Sequence, residues 1–215
     1  MSRVLRIGPG KKVRIIDGQG GTGIFQVIKS SKKEVQLSPE QTWRVPPPEP
    51  RLHLALGWQK STRRAWLLEK AVEMGAWNLV FWTGDTSQGH MDRASLSNWH
   101  KRLLAAAKQS SNPWIPGMVF MSRGLGELID YARNITGKIM LWEGETGLDL
   151  LEFYRQSASK EKIAVIGPEG GLKPQETEQL SQAGFCPVSA GSRILRWETA
   201  ALTVLCLDML YREQG

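Results

Sequence analysis

Along the first 45 residues, apolar and polar positions alternate in short runs. Val13–Asp17 (VRIID), Ile24–Ser30 (IFQVIKS) and Glu34–Ser38 (EVQLS) read as strands separated by a glycine-rich turn and a polar cluster, which predicts a small barrel or sheet. Val45–Pro50 (VPPPEP) ends this pattern. Three consecutive prolines have fixed φ and no amide donor, so the segment predicts a semi-rigid extended linker. Beyond it, apolar strand-like runs alternate with helical periodicity. The runs at 52–57, 78–82, 118–121, 138–142, 162–167 and 187–190 predict strands. The stretches 61–75, 94–110, 125–133, 148–158, 174–184 and 198–212 predict helices. Strict alternation of this kind predicts an α/β fold with a mostly parallel sheet flanked by helices. The expected division is a basic β-domain at 1–45, a proline linker at 46–50 and an α/β domain at 51–215.

Composition narrows the class. Hydrophobic residues make up 41% and charged residues 23% of the 215, the balance of a globular chain. No apolar run approaches the ~20 residues that span a bilayer, and MSRVLRIGPGKK lacks the apolar core of a signal peptide. A cytoplasmic location without a membrane partner is therefore expected. Cys186 and Cys206 form no CxxC pair, and His53, His90 and His100 are scattered, so no metal site is expected. Charge is more informative once located. Residues 1–45 carry nine Lys/Arg against three acids, whereas the remaining 170 carry 19 against 18. That asymmetry fits a polyanion-binding module on a neutral body, with a merely solvated basic surface as the plain alternative.

Two glycine segments near the N-terminus mimic nucleotide sites. Gly18–Gly23 (GQGGTG) matches G-x-G-x-x-G but is followed by strand-like sequence, where the dinucleotide fingerprint requires a helix. Gly8–Lys12 (GPGKK) lacks the spacing and hydroxyl of a P-loop. The chemistry sits instead in the C-terminal third. Ile166–Gly171 (IGPEGG) joins a strand to a helix, with glycines that let a flat ligand approach the backbone. Ala190–Ala200 (AGSRILRWETA) does the same, with Arg193 and Arg196 bracketing Ile194 and Leu195. Leu141–Gly147 (LWEGETG) is a third glycine-bearing strand end. Each alone could be an ordinary tight turn, and Glu198 could be only a first-turn acid paired with Arg196. Three similar strand ends favour one composite pocket.

Taken together, IGPEGG, Glu176 in KPQE and GSRILRWETA resemble the signature of the small-subunit ribosomal RNA uracil-N3-methyltransferases, a branch of the SPOUT (trefoil-knotted) class. Val4–Gly21 resembles that family's PUA-like N-terminal barrel, Lys60–Trp82 its first catalytic strand–helix unit, and Ala105–Pro116 its glutamine-containing helix. The resemblance implies a C-terminal trefoil knot, a homodimer and S-adenosylmethionine as cofactor. It carries the cofactor role to Leu141, Trp142, Glu143 and Gly144, to Gly167, Pro168, Glu169, Gly170 and Gly171, and to Ala190, Gly191, Ser192, Ile194 and Leu195. The chain departs from the family at several places. It begins at what resembles a later part of the barrel. Lys108 stands for an acid, Asn112 for an arginine, Trp197 for a small polar residue and Ala190 for a leucine, all expected near the pocket.

The implied reaction transfers a methyl group to uracil N3, on the Watson–Crick edge, so the target must be unpaired. Arg196 is the expected stabiliser of charge developing on uracil, with Arg193 as the alternative. Arg3, Arg6, Lys11, Lys12 and Arg14 are expected to hold the phosphate backbone of ribosomal RNA, within the small subunit. A SPOUT enzyme acting on transfer RNA or another ribosomal position, and a non-catalytic RNA-binding or ribosome-assembly protein, are the competing readings.

Overall fold

A computed structural model describes residues 8–31, 33–89, 96–144 and 147–214; Arg3 and Arg6 lie outside the described residues. Three strands, β1 (Lys12–Ile16), β2 (Gly21–Ser30) and β3 (Val35–Arg44), form an antiparallel sheet in the order β1-β2-β3. The third strand runs past its expected end at Ser38, because a register shift at Ile24/Phe25 accommodates Pro39, which has no ladder donor. The glycine turn is also shorter than expected. Gly21 and Gly23 already belong to β2, and the turn itself is Asp17–Gly20.

The remaining strands, β4 (Arg51–Gly57), β5 (Asn78–Trp82), β6 (Gly117–Met121), β7 (Gly137–Leu141), β8 (Glu161–Ile166) and β9 (Cys186–Val188), form one parallel sheet in the order β6-β5-β4-β8-β7-β9. The near-continuous apolar runs LHLALG and KIAVI occupy its centre, as strands covered on both faces must. Alternation sorts their side chains. Leu52, Leu54, Leu56, Leu79, Phe81, Ala164 and Ile166 point to one core, and Ala55, Val80, Trp82, Ile163 and Val165 to the other. The first core is closed by α1 (Arg64–Glu73), α2 (Leu96–Ser110), α4 (Leu150–Gln156) and α6 (Trp197–Glu213). The second is closed by α3 (Leu125–Tyr131) and α5 (Pro174–Gln182).

The amino edge of this sheet is tightly cross-linked. His53 bonds Tyr131 Oη through Nδ1 at 2.6 Å and Glu161 through Nε2 at 2.9 Å, and Asn78 Nδ2 donates to the same Tyr131 oxygen at 3.0 Å. Asp208 of α6, fully buried, meets Arg212 Nε at 3.1 Å and Lys162 Nζ at 3.8 Å and accepts from Tyr154 Oη at 3.2 Å. The three-stranded sheet docks at the same edge. Gly20 N–H donates to Pro113 O at 2.9 Å, Ile115 N–H to Gly18 O at 3.1 Å, and Trp114 Nε1 to Pro46 O at 3.0 Å. Asn112, expected near the pocket, belongs here too. Its Nδ2 donates to Val72 O at 2.9 Å and its Oδ1 accepts from Trp114 N–H, joining α1 to the turn before β6.

Candidate active site

The carboxyl ends of β4, β8, β7 and β9 lie side by side and open into a cleft of about 890 Å³. Parallel sheets bind ligands at this edge, where loops leave the ladder with backbone groups to spare.

The loop after β8 forms the first wall and rests directly on the end of β4. A side chain at Gly57 would collide with the backbone nitrogen of Pro168. Gly171 N–H donates to Pro168 O at 2.8 Å with φ at +72°, a turn that a β-carbon resists. Thr86 Oγ1 donates to Gly171 O at 3.0 Å. Behind this turn, buried Glu176 accepts from Lys173 N–H at 2.8 Å and Asp85 N–H at 3.0 Å. The acid of KPQE is thus a strut between α5 and the loop after β5.

The loops after β7 and β9 form the next two walls and are laced together. Trp142 N–H donates to Val188 O at 3.2 Å, Leu150 N–H to Ser189 O at 2.8 Å, and Ser189 N–H to Leu148 O at 3.1 Å. Ser189 Oγ accepts from Gly191 N–H at 3.1 Å, which folds the chain back toward the cleft. Leu141, Trp142, Glu143, Gly167 to Gly171, and Ala190 to Arg196 all line the cleft. Gly144 does not. A side chain there would collide with the Trp142 indole, so it shapes the wall from behind. Ile194 lines the cleft but stands 79% exposed, at the rim.

The fourth wall, Lys60–Arg63 after β4, carried no expected binding role; residues 61–63 were expected inside a helix that in fact begins at Arg64. Its signal was its position, after an apolar strand as the other three loops are. Lys60, Arg63, Arg193 and Arg196 are all exposed and make no ion pair among the described residues. Arg196 is the N-cap of α6, which begins at Trp197 rather than Glu198, and the Arg196–Glu198 pair is not formed. Trp197 is 5% exposed and packs into the first core, so it floors the cleft instead of obstructing it; its Nε1 is buried without a hydrogen-bond partner. Of the four departures, Trp197 and Ala190 line the cleft, and Lys108 and Asn112 do not.

On the three-stranded sheet, Lys11 is exposed, Lys12 pairs with Glu40 at 2.8 Å, and Arg14 lies 5.7 Å over Trp43 with Nε donating to Thr22 at 3.2 Å. The GQGGTG turn has its amides engaged. Asp17 Oδ1 accepts from Gln19 N–H at 2.7 Å and Gly21 N–H at 2.8 Å. The Gln19 bond above all holds this carboxyl below its ordinary value. Donors already paired with a carboxylate do not cradle a phosphate.

Strand order and cleft define a parallel α/β protein with an open cleft at its strand ends, beside an antiparallel three-stranded module. Comparison with known proteins is more specific. The RNA methyltransferase domain family matches residues 47–207, and the RNA methyltransferase PUA domain matches residues 1–40. The chain belongs to this RNA methyltransferase family. Among relatives, the "Ribosomal RNA small subunit methyltransferase E" of Mycobacterium tuberculosis is 27% identical over 208 residues, covering 94% of this chain and 79% of its own. The protein of the same name from Mesomycoplasma hyopneumoniae is 29% identical over 198 residues, covering 90% and 78%. The chain is also similar to the solved structure of that enzyme from Neisseria gonorrhoeae bound to S-adenosylmethionine. That match has a TM-score of 0.80 and 25% identity, over 95% of this chain and 85% of the other. A Legionella pneumophila structure with the same bound cofactor shares the fold, with a TM-score of 0.84 and 24% identity over 100% and 87%.

Proposed function

We propose that this chain transfers a methyl group from S-adenosylmethionine to N3 of a uridine in small-subunit ribosomal RNA. The observation that carries this reading is the cleft walled by the loops after β7, β8 and β9, where the family resemblance puts the cofactor. The residues fit such a group. The volume falls within the about 300–1,000 Å³ usual for cofactor sites. Gly171 and Gly191, where a β-carbon would meet nothing within 4 Å, leave open backbone for a flat adenine, while Gly57 and Gly167 let the β8 loop pack closely against the protein's own backbone. In this reading Leu141, Trp142, Glu143, Gly167 to Gly171, Ala190 to Ser192, Ile194 and Leu195 hold the cofactor, with Gly144 supporting Trp142.

When bound, the cofactor supplies an electrophilic methyl group on a sulfonium. The protein's part is to hold uracil N3 in line with it and to stabilise the negative charge that uracil acquires as its proton leaves. Arg196, exposed at the cleft and unpaired, meets that charge at a carbonyl oxygen, with Arg193 beside it. Among the described residues no histidine lines the cleft, and in this reading the N3 proton passes to solvent. Residues 1–45 form the RNA-binding domain, 46–50 the linker and 51–215 the methyltransferase domain, whose C-terminal chain closes a trefoil knot. The protein works in the cytoplasm as a homodimer; exposed Leu151 and Leu210 on α4 and α6 supply apolar surface for that contact.

Mapping of modified nucleotides in ribosomal RNA from cells with and without the gene tests the reading. One N3-methyluridine in the small-subunit RNA disappears with the gene. An unchanged map, or loss of a different modification, would overturn it.

A further inference from the structure

The cleft has one wall that the cofactor reading leaves unused. We propose that the loop Lys60–Arg63 seats a phosphodiester of the RNA, next to the nucleotide that receives the methyl group. This rests on the methyltransferase reading above and assigns the substrate side of the same cleft.

Charge sorts the walls. The loops after β7 and β8 carry Glu143 and Glu169, and the β9 wall carries Arg193 and Arg196, already assigned to the uracil, with Glu198 behind them; the β4 loop presents two cations and two hydroxyls without an acid. S-adenosylmethionine brings a sulfonium, an ammonium and one carboxylate, a net positive charge. Paired cations repel such a ligand, and they attract the polyanion it must meet. Lys60 and Arg63 are exposed and have no protein counter-ion among the described residues. The hydroxyls of Ser61 and Thr62 lie between them in the chain and add donors of the kind that position phosphates.

The loop is also held in place, so a seat on it would be preorganised. Arg64 lies 4.1 Å over Trp58 and 5.3 Å over Trp99, and its Nη2 donates to the Gln59 carbonyl. Trp58 N–H donates to Trp82 O at 2.7 Å, and Arg63 N–H donates to Ser61 Oγ at 3.1 Å. Ligand geometry therefore does not have to be paid for by ordering this segment. The chemistry that could compete for the seat is the cofactor's own carboxylate, and the two sources separate by experiment.

The test compares the full-length parent, Lys60→Gln/Arg63→Gln and the charge-keeping Lys60→Arg/Arg63→Lys. Calorimetry reads S-adenosylmethionine affinity. Methyl transfer to small ribosomal subunits from gene-deleted cells reads KM and kcat over a range of salt. The expected result is KM raised by about tenfold or more, with its salt dependence shallower by about one unit in log–log slope. Cofactor affinity and melting temperature stay at the parent values, and the charge-keeping variant recovers KM. Weakened cofactor binding with unchanged KM would give the loop to the carboxylate. Unchanged KM and cofactor affinity would leave it a solvated loop, and loss of both at an unchanged melting temperature would make it part of the cleft's framework. Each of those three results overturns the phosphate seat. A parent protein that methylates nothing would instead overturn the functional reading.

Discussion

The two edges of the six-stranded sheet are built from the same strands and are finished in opposite ways. At the amino edge the buried charged and polar side chains are paired inside the protein: His53 hydrogen-bonds Tyr131 and Glu161, Asp208 forms ion pairs with Arg212 and Lys162, and Trp114 bonds the proline linker. At the carboxyl edge, some 17–23 Å away for strands of five to seven residues at about 3.3 Å each, Gly171 and Gly191 leave open backbone and four cations have no ion-pair partner among the described residues. Buried polar groups demand partners, so a saturated edge is architecture. An edge that leaves cations and strand-end loops without internal partners is arranged for something that arrives from outside. The antiparallel module packs on the opposite edge, so it does not cover the cleft.

The largest effect is expected at the amino edge. Replacing Asp208 by alanine leaves Lys162 as a buried, uncompensated charge and half-buried Arg212 with only the Met74 and Gly75 carbonyls, and should cost about 3–5 kcal/mol of stability in a denaturant titration. Cofactor affinity of the fraction still folded should be unchanged. At the carboxyl edge Arg196→Ala should do the reverse, lowering methyl transfer by about 10²–10³-fold, the usual cost of one charge-stabilising donor. Melting temperature and cofactor affinity should stay put. A variant that shifted both readouts at either position would erase the distinction between the edges.

The sheet and the cleft were legible in the sequence to different depths. Central strands were readable because LHLALG and KIAVI are apolar throughout, and burial on both faces leaves no other economical choice. IGPEGG and the RILRWETA region were readable because glycines and arginines at strand ends are locally encoded. The wall at Lys60–Arg63 was missed because nothing in KSTR is unusual on its own; it becomes a wall only when β4 is placed beside β8. Asn112 was misplaced for the same reason. It follows a helix whose two ends lie at different edges, and only the register of β5 with β6 shows which end it joins. The strut role of Glu176 depends on Asp85, 91 residues earlier, a pairing that no local pattern contains.

Two smaller effects sharpen the contrast. Changing Lys11, Lys12 and Arg14 together to glutamine should weaken RNA binding by about tenfold at physiological salt and flatten its salt dependence, with cofactor affinity intact. Equal loss of both would contradict separate roles for the module and the cleft. At the amino edge, burial is the main cause that pushes His53 below the ordinary histidine value, against the opposing pull of Glu161. The folded state then resists a proton that the unfolded chain accepts at about pH 6.5. Stability attributable to His53 is therefore complete above that pH and is lost as pH falls toward the lower folded value. A His53→Gln variant should show a shallower decline in melting temperature between neutral and mildly acidic pH than the parent. Equal slopes would mean that the cluster does not sense protons.

The most direct measurement is amide hydrogen exchange with and without S-adenosylmethionine. Protection should appear in the segments 141–143, 166–172 and 189–197 at the carboxyl edge, while exchange around His53, Asn78 and Trp114 stays as it was. Unchanged exchange throughout, or protection confined to the amino edge, would contradict the assignment of the cleft.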